Sequence, residues 1–151
     1  MKKKYLIILV CLVTIILLSC ATTPSGNTSS EQKTVDKVMD NWIRALTTED
    51  IDLLMSTYES NAIMEINFGG EITQWSGEEE IRKSQSGFFE SSDGIAKVSI
   101  SVTDRDLGNK IAKYTCELQG SGFMMINRFR LQKRDGEWKI IHQFVEPAPA
   151  E

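Results

Sequence analysis

Between Val35 and Val145 the spacing of apolar residues changes period, and that change constrains the fold more than any single motif does. Val35, Val38, Met39, Trp42, Ile43 and Leu46 recur at i, i+3, i+4, i+7, i+8 and i+11, the stripe of an amphipathic helix. Thr47 or Thr48 can cap a second, shorter helix, with Glu49 and Asp50 favourable in its first turn and a stripe of Ile51, Leu54, Met55 and Tyr58. From Ala62 the period is two. Ala62, Met64, Ile66 and Phe68 alternate with Ile63, Glu65 and Asn67, Gly69-Gly70 makes a hairpin turn, and residues 71–75 return. Ser76-Gly77-Glu78-Glu79 reads as a capping box opening a third helix, with Ile81, Gln85, Phe88 and Phe89 along one side and Gly94 at its close.

The last third alternates throughout. Ala96, Val98, Ile100 and Val102 face one way, and Lys97, Ser99, Ser101 and Thr103 the other. Residues 104–109 turn the chain into a strand at 110–118, whose apolar side is Ala112, Tyr114, Cys116 and Leu118. Gly120-Ser121-Gly122 turns it again into 123–133. Asp135-Gly136 is the last hairpin, leading to 138–145, and Pro147 and Pro149 stop the sheet. Helix, helix, hairpin, helix and a long meander predict an α+β fold, a curved antiparallel sheet forming a cone with three helices on its concave face.

Ahead of this domain, Lys2, Lys3 and Lys4 precede an apolar run over residues 5–18, which closes on Ser19-Cys20. The run is shorter than the ~20 residues needed to cross a bilayer, so it reads as a secretory h-region. Residues 21–30 are Ala, Thr, Pro, Ser, Gly and Asn only. The order resembles the lipobox of bacterial lipoproteins, although Leu18 stands where that pattern more often has Ala, Ser, Thr or Val. The resemblance implies a signal peptide at 1–19, lipid on Cys20 and a flexible tether at 20–33. The domain then occupies 34–147, with a tail at 148–151. An ordinary signal peptide with a chance cysteine, or an uncleaved N-terminal helix, are the other readings. The protein is accordingly expected outside the cytoplasm, anchored to the outer side of the cell membrane or in the periplasm.

Charge and cysteines narrow the function. Without Lys2–Lys4 the 17 basic residues become 14 against 21 acidic ones, and the net charge moves from −4 to −7. An acidic domain with scattered lysines argues against nucleic acid and against electrostatic adhesion to membranes. With Cys11 in the discarded segment and Cys20 lipidated, Cys116 stands alone and no internal disulfide forms; its position predicts a buried small hydrophobe. One histidine and no clustered cysteines predict no metal site. No nucleophile elbow, phosphate loop or dinucleotide fingerprint occurs, and no cofactor is expected.

Three stretches carry a family resemblance. They are Trp42-Ile43-Arg44-Ala45-Leu46 with Glu49-Asp50-Ile51-Asp52-Leu53-Leu54 and Tyr58-Glu59-Ser60-Asn61-Ala62; Ser76-Gly77-Glu78-Glu79-Glu80-Ile81; and Asp135-Gly136-Glu137-Trp138-Lys139-Ile140-Ile141-His142-Gln143. The chain resembles SnoaL-like domains of the nuclear transport factor 2-like superfamily, also described as cystatin-like. The resemblance implies a cone enclosing an apolar pocket with a few polar groups. It leaves function open, since the fold hosts isomerases, cyclases, dehydratases, assembly domains and binders. The second histidine often found in such domains is Phe144 here.

Polar-tipped residues on the apolar faces are the candidates for lining that pocket. Asn127 lies between Met125 and Phe129, Tyr114 between Ala112 and Cys116, His142 between Ile140 and Phe144, while Trp42 and Tyr58 lie on the inner stripes of their helices. Trp42, Tyr58, Tyr114 and His142 more often hold core, rim or interface positions with a satisfied polar end, and Asn127 suits a backbone bond at a bulge as well as a pocket. Asn127 and His142 are both expected to point into the cavity, His142 as a structural or ligand-contacting group and not a catalytic one. Glu65 alternates onto the other face and Glu146 sits beside Pro147, so neither is expected to pair with His142. Glu78–Glu80 compensate a helix dipole. The leading reading is a membrane-anchored domain binding a small apolar or amphipathic molecule through Trp42, Tyr58, Tyr114, Asn127 and His142. The alternatives are an isomerase- or hydratase-like enzyme using His142 with Tyr58 or Asn127, and a homodimeric or partner-binding module. A deep pocket with a polar dyad favours the enzyme; filling by Trp42, Met64 and Phe129 favours the module.

Overall fold

Helix α1 runs Thr28–Thr48 and so begins inside the stretch expected to be tether. A computed structural model describes residues 28–91, 99–120 and 122–149. The segments expected to be signal peptide and, for the most part, tether, with Cys20, Gly94 and the Ala96 and Val98 positions, lie outside them. The early start of α1 has a cause within the domain: the Glu31 carboxylate, in the helix's first turn, accepts from Lys133 Nζ and from Trp138 Nε1 at 3.1 Å.

Helix α2 (Ile51–Ser56) is capped by Asp50, not by a threonine: Asp50 Oδ1 accepts the Leu53 N–H at 2.9 Å. The Thr47 and Thr48 hydroxyls instead donate back to carbonyls of α1. Glu49, at φ 55°, turns the chain between the helices. Strand β1 is Tyr58–Phe68, which places Tyr58 at the start of a strand and not on the α2 stripe. Gly69 and Gly70, both at positive φ, lead into β2, Glu71–Ser76. Helix α3 spans Glu78–Ser91. The Ser76 N–H is held at 2.8 Å by Glu80, one residue beyond the acid the capping box designates.

The remaining strands are β3 Ser99–Leu107, β4 Ile111–Gly120, β5 Phe123–Arg134 and β6 Glu137–Pro147. They form one six-stranded sheet in the order β2-β1-β6-β5-β4-β3. Every neighbouring pair is antiparallel except β1 with β6, which run parallel. The last strand of the meander thus inserts beside the first. Asp135 (φ 50°) and Gly136 (φ 86°) give the doubly left-handed turn that a two-residue hairpin requires.

Two bulges shift the phase of the sheet. On β3, Val102 opposes Cys116 but Asp104 opposes Thr115, so Thr103 is extra. On β6, Ile140 opposes Leu131 but His142 opposes Arg130, so Ile141 is extra. An extra residue reverses which side chains face inward from that point on. The core beneath the helices gathers Met39, Trp42, Leu54, Met64, Ile81, Cys116, Phe129, Leu131 and Ile140. Trp42 and Phe129 meet edge-on, with ring centroids 4.7 Å apart at 70°. Val102, on the edge strand and in register with buried Cys116, is 44% exposed.

Candidate functional site

At the centre of the sheet's inner face, the Trp42 indole N–H donates to the Tyr58 hydroxyl at 3.1 Å. That hydroxyl donates to Gln143 Oε1, and Gln143 Nε2 donates to Asn127 Oδ1 at 2.8 Å. All four residues are buried. Burial holds the Tyr58 hydroxyl well above its ordinary pKa against the lowering effect of Trp42, so the phenol is a neutral donor. Three of the expected lining residues therefore do come together, but bonded to one another and packed against Phe129 and Met64. Gln143 joins them because the bulge at Ile141 turns it inward.

The same bulge carries His142 to the outer face. Its Nε2 lies 2.8 Å from Glu65 Oε2, with the two side chains 36% and 25% exposed. Two expectations are corrected here: His142 does not point into the cone, and Glu65 is its partner. One inserted residue accounts for both. Glu146 is paired with Arg128.

Tyr114, the fifth candidate, is buried and lines a cleft of about 580 Å³ between α1 and the β3 edge. Asp36, Met39 and Asp40 come from α1, and Val102, Thr103, Asp104 and Arg105 from the bulged part of β3. The Tyr114 hydroxyl donates to Asp36 Oδ1, and Arg105 Nη1 stands 3.5 Å from both oxygens of Asp36. Burial and then the neighbouring Asp36 raise the Tyr114 pKa, which keeps the phenol protonated. Arg105 reaches the cleft because the bulge at Thr103 places it opposite Tyr114. Cys116 is buried as expected, and burial pushes its thiol up to about 12, out of the nucleophilic range. Among the described residues no three His, Cys, Asp or Glu side chains group to hold a metal, and no helix is long and apolar enough to cross a membrane.

A curved six-stranded sheet with helices on one face is the architecture of the nuclear transport factor 2-like class. The SnoaL-like domain family matches residues 35–145, and the chain belongs to that family. Solved structures agree on the fold. An NTF2-like protein of unknown function from Shewanella baltica superposes with a TM-score of 0.69 at 15% identity, over 82% of this chain and 98% of that one. A ketosteroid isomerase-like protein from Erwinia carotovora atroseptica gives 0.67 at 14%, over 78% and 96%. An NTF2-like family protein from Streptomyces avermitilis, described as a candidate dehydratase, gives 0.64 at 14%, over 81% and 99%. No functionally curated protein matches the chain.

Proposed function

We propose that this is a lipid-anchored binding domain, tethered through Cys20 on the outer side of the membrane, which takes a small amphipathic molecule in the cleft between α1 and the β3 edge. The contrast between the two concave regions carries the reading. The centre is filled by Trp42, Phe129 and Met64, and its polar groups satisfy one another. The cleft is open, and Met39, Val102 and Tyr114 line it together with a larger polar and charged set from α1 and β3. A partner-binding module shares the filled centre but does not call for such a concavity. The isomerase- or hydratase-like alternative needs a carboxylate or histidine inside the cone to move a proton. Indole, phenol and two amides stand at the centre, and His142 is on the other face; the one carboxylate–phenol pair in the cleft, Asp36 with Tyr114, is the group such chemistry would have to use.

Native mass spectrometry of protein purified gently from its host tests the binding. A co-purifying small molecule is expected, and it should be lost in Thr103→Trp, which fills the cleft. Protein without any adduct, or an adduct that Thr103→Trp leaves at full occupancy, overturns the reading. The anchor is tested separately. Cys20→Ala should appear in the soluble fraction or remain unprocessed; a processed mutant that still fractionates with membranes removes the lipid from the proposal.

A further inference from the structure

We infer that a second copy of this chain docks on β2, adding its own β2 antiparallel across a two-fold axis at Thr73, so that the two sheets run on as one. The sheet ends in two edges, β2 and β3, and they are built differently. An edge strand offers unpaired N–H and C=O groups to any extended chain, and proteins blunt it with a bulge, with charges or with a covering element. The β3 edge has all three. Thr103 is a bulge, Asp104-Arg105-Asp106 follow it, Asp104 Oδ1 takes the Arg105 N–H at 2.8 Å, and Arg105 reaches Asp36 on α1. The β2 edge has none of them. Its pairing with β1 runs from Glu71 to Ser76 without a shift, it holds no proline, lysine or arginine, and its one charge, Glu71, stands at the turn.

Which main-chain groups are free follows from the turn. A two-residue loop closes on a hydrogen-bonded pair, here Phe68 with Glu71, and bonding alternates from there. Glu71, Thr73 and Trp75 therefore bond to β1, while Ile72, Gln74 and Ser76 turn their main-chain groups outward. The Ser76 N–H agrees with this phase, since Glu80 holds it at 2.8 Å from outside the sheet. The N–H and C=O of Ile72 and Gln74 remain. Under a two-fold axis at Thr73, Ile72 faces Gln74 of the second copy, and every one of these groups meets another of them. An axis at Gln74 would instead set Ile72 against the Ser76 N–H that Glu80 already fills. The Thr73 register also opposes Thr73 to Thr73, a favourable cross-strand pair. It sets Gly70, which has open space about it, against Ser76, leaving room for the Glu80 carboxylate. No two like charges face each other. Phe68 at 61% and Ile72 at 56% are the most exposed large apolar side chains among the described residues, and both lie on this hairpin. The two Ile72 side chains come within diagonal reach across the seam. A set of free groups that satisfies itself under the axis fits a second copy, and the β3 edges with their clefts are left at the two ends of the joined sheet.

Cysteine scanning of the full chain in its intact host tests the seam and its register together. Facing residues of a non-hydrogen-bonded antiparallel pair stand about 4.5 Å apart at Cα, within reach of a disulfide. Under copper–phenanthroline oxidation Thr73→Cys should give a band at twice the protomer mass on a non-reducing gel, well above the unsubstituted chain treated alike. Gln74→Cys, and Glu117→Cys on the outer face of the sheet, should not. A stronger band from Gln74→Cys overturns the axis at Thr73. A band from Glu117→Cys with none from Thr73→Cys overturns the seam in favour of face-to-face packing. Thr73→Cys joined only to a different protein overturns the second copy in favour of a foreign strand, and no band above the unsubstituted chain from any variant overturns the docking itself. Sedimentation velocity of the full chain in detergent supplies the affinity. The dimer fraction should rise with concentration, and Gln74→Pro should weaken association tenfold or more. That proline removes an outward N–H that β1 does not use, a place where edge strands tolerate it. Circular dichroism checks its folding, and Gln74→Lys, which puts a charge on the edge, decides the matter should the proline variant unfold. Association that a folded variant of either kind leaves unchanged overturns the seam.

Discussion

At the centre of the cone Trp42, Tyr58, Gln143 and Asn127 are bonded in series under an apolar shell, while at the β3 edge Asp36 and Arg105 face an open cleft and pair loosely. Solvent decides the difference. A buried polar group left without a partner costs about 1–3 kcal/mol, so the centre tolerates only a closed set. An exposed ion pair is worth about 0–1 kcal/mol, so the edge tolerates charges that do not match. A site that must exchange partners with a ligand is therefore easier to keep at the edge than at the centre.

The contrast is most exposed to failure at Trp42. Trp42→Ala removes a fully buried ring from its place against Phe129 and takes the donor from Tyr58. The expected loss is about 3–5 kcal/mol in urea denaturation; a loss below about 1 kcal/mol would mean that the centre is no better packed than the edge. Gln143→Leu keeps the volume and removes both of its bonds, leaving Tyr58 and Asn127 to find others. It should cost about 1–3 kcal/mol, and a neutral result would show that water or rearrangement closes the set.

The smallest effect belongs to Glu31, a periphery contact that behaves like neither region. Its carboxylate is held below the ordinary 4.5 by the bond from Lys133 and then by that from Trp138. A pKa depressed by folding adds stability above the unfolded-state value, and that stability is lost as pH falls through the folded value. The melting temperature of the parent should thus fall faster than that of Glu31→Gln between about pH 5 and pH 3, with parallel curves above about pH 6. Curves parallel over the whole range would show that the contact is not made in solution.

Much of this was legible in the chain because it is local. Gly69-Gly70 and Asp135-Gly136 turn where their backbone freedom allows, and the stripe from Val35 to Leu46 is the inner face of α1. Trp42, Tyr58 and Asn127 stand out as polar-tipped residues in apolar company, and they meet. The bulges were not legible, because Thr103 and Ile141 are ordinary strand residues and nothing in their chemistry marks them as extra. Each inverts the alternation beyond it, bringing Gln143 in, sending His142 out to Glu65, and placing Arg105 against Asp36. Glu31 was hidden in another way. Its partners, Lys133 and Trp138, are about a hundred residues downstream. Nothing in the Ser- and Thr-rich stretch around it forecasts a helix.

The parallel seating of β6 between β1 and β5 bears on how the molecule comes into being. Until Glu137–Pro147 emerges, β1 with β2 and β3 with β4 and β5 are separate ribbons, each with an edge that another chain could pair with. Ile63 must wait for His142, and Glu65 for Phe144, contacts that close a long stretch of chain and are slow to form. Synthesis from the N-terminus delivers the joining strand last. A nascent chain of this design therefore cannot complete its sheet before β6 is released.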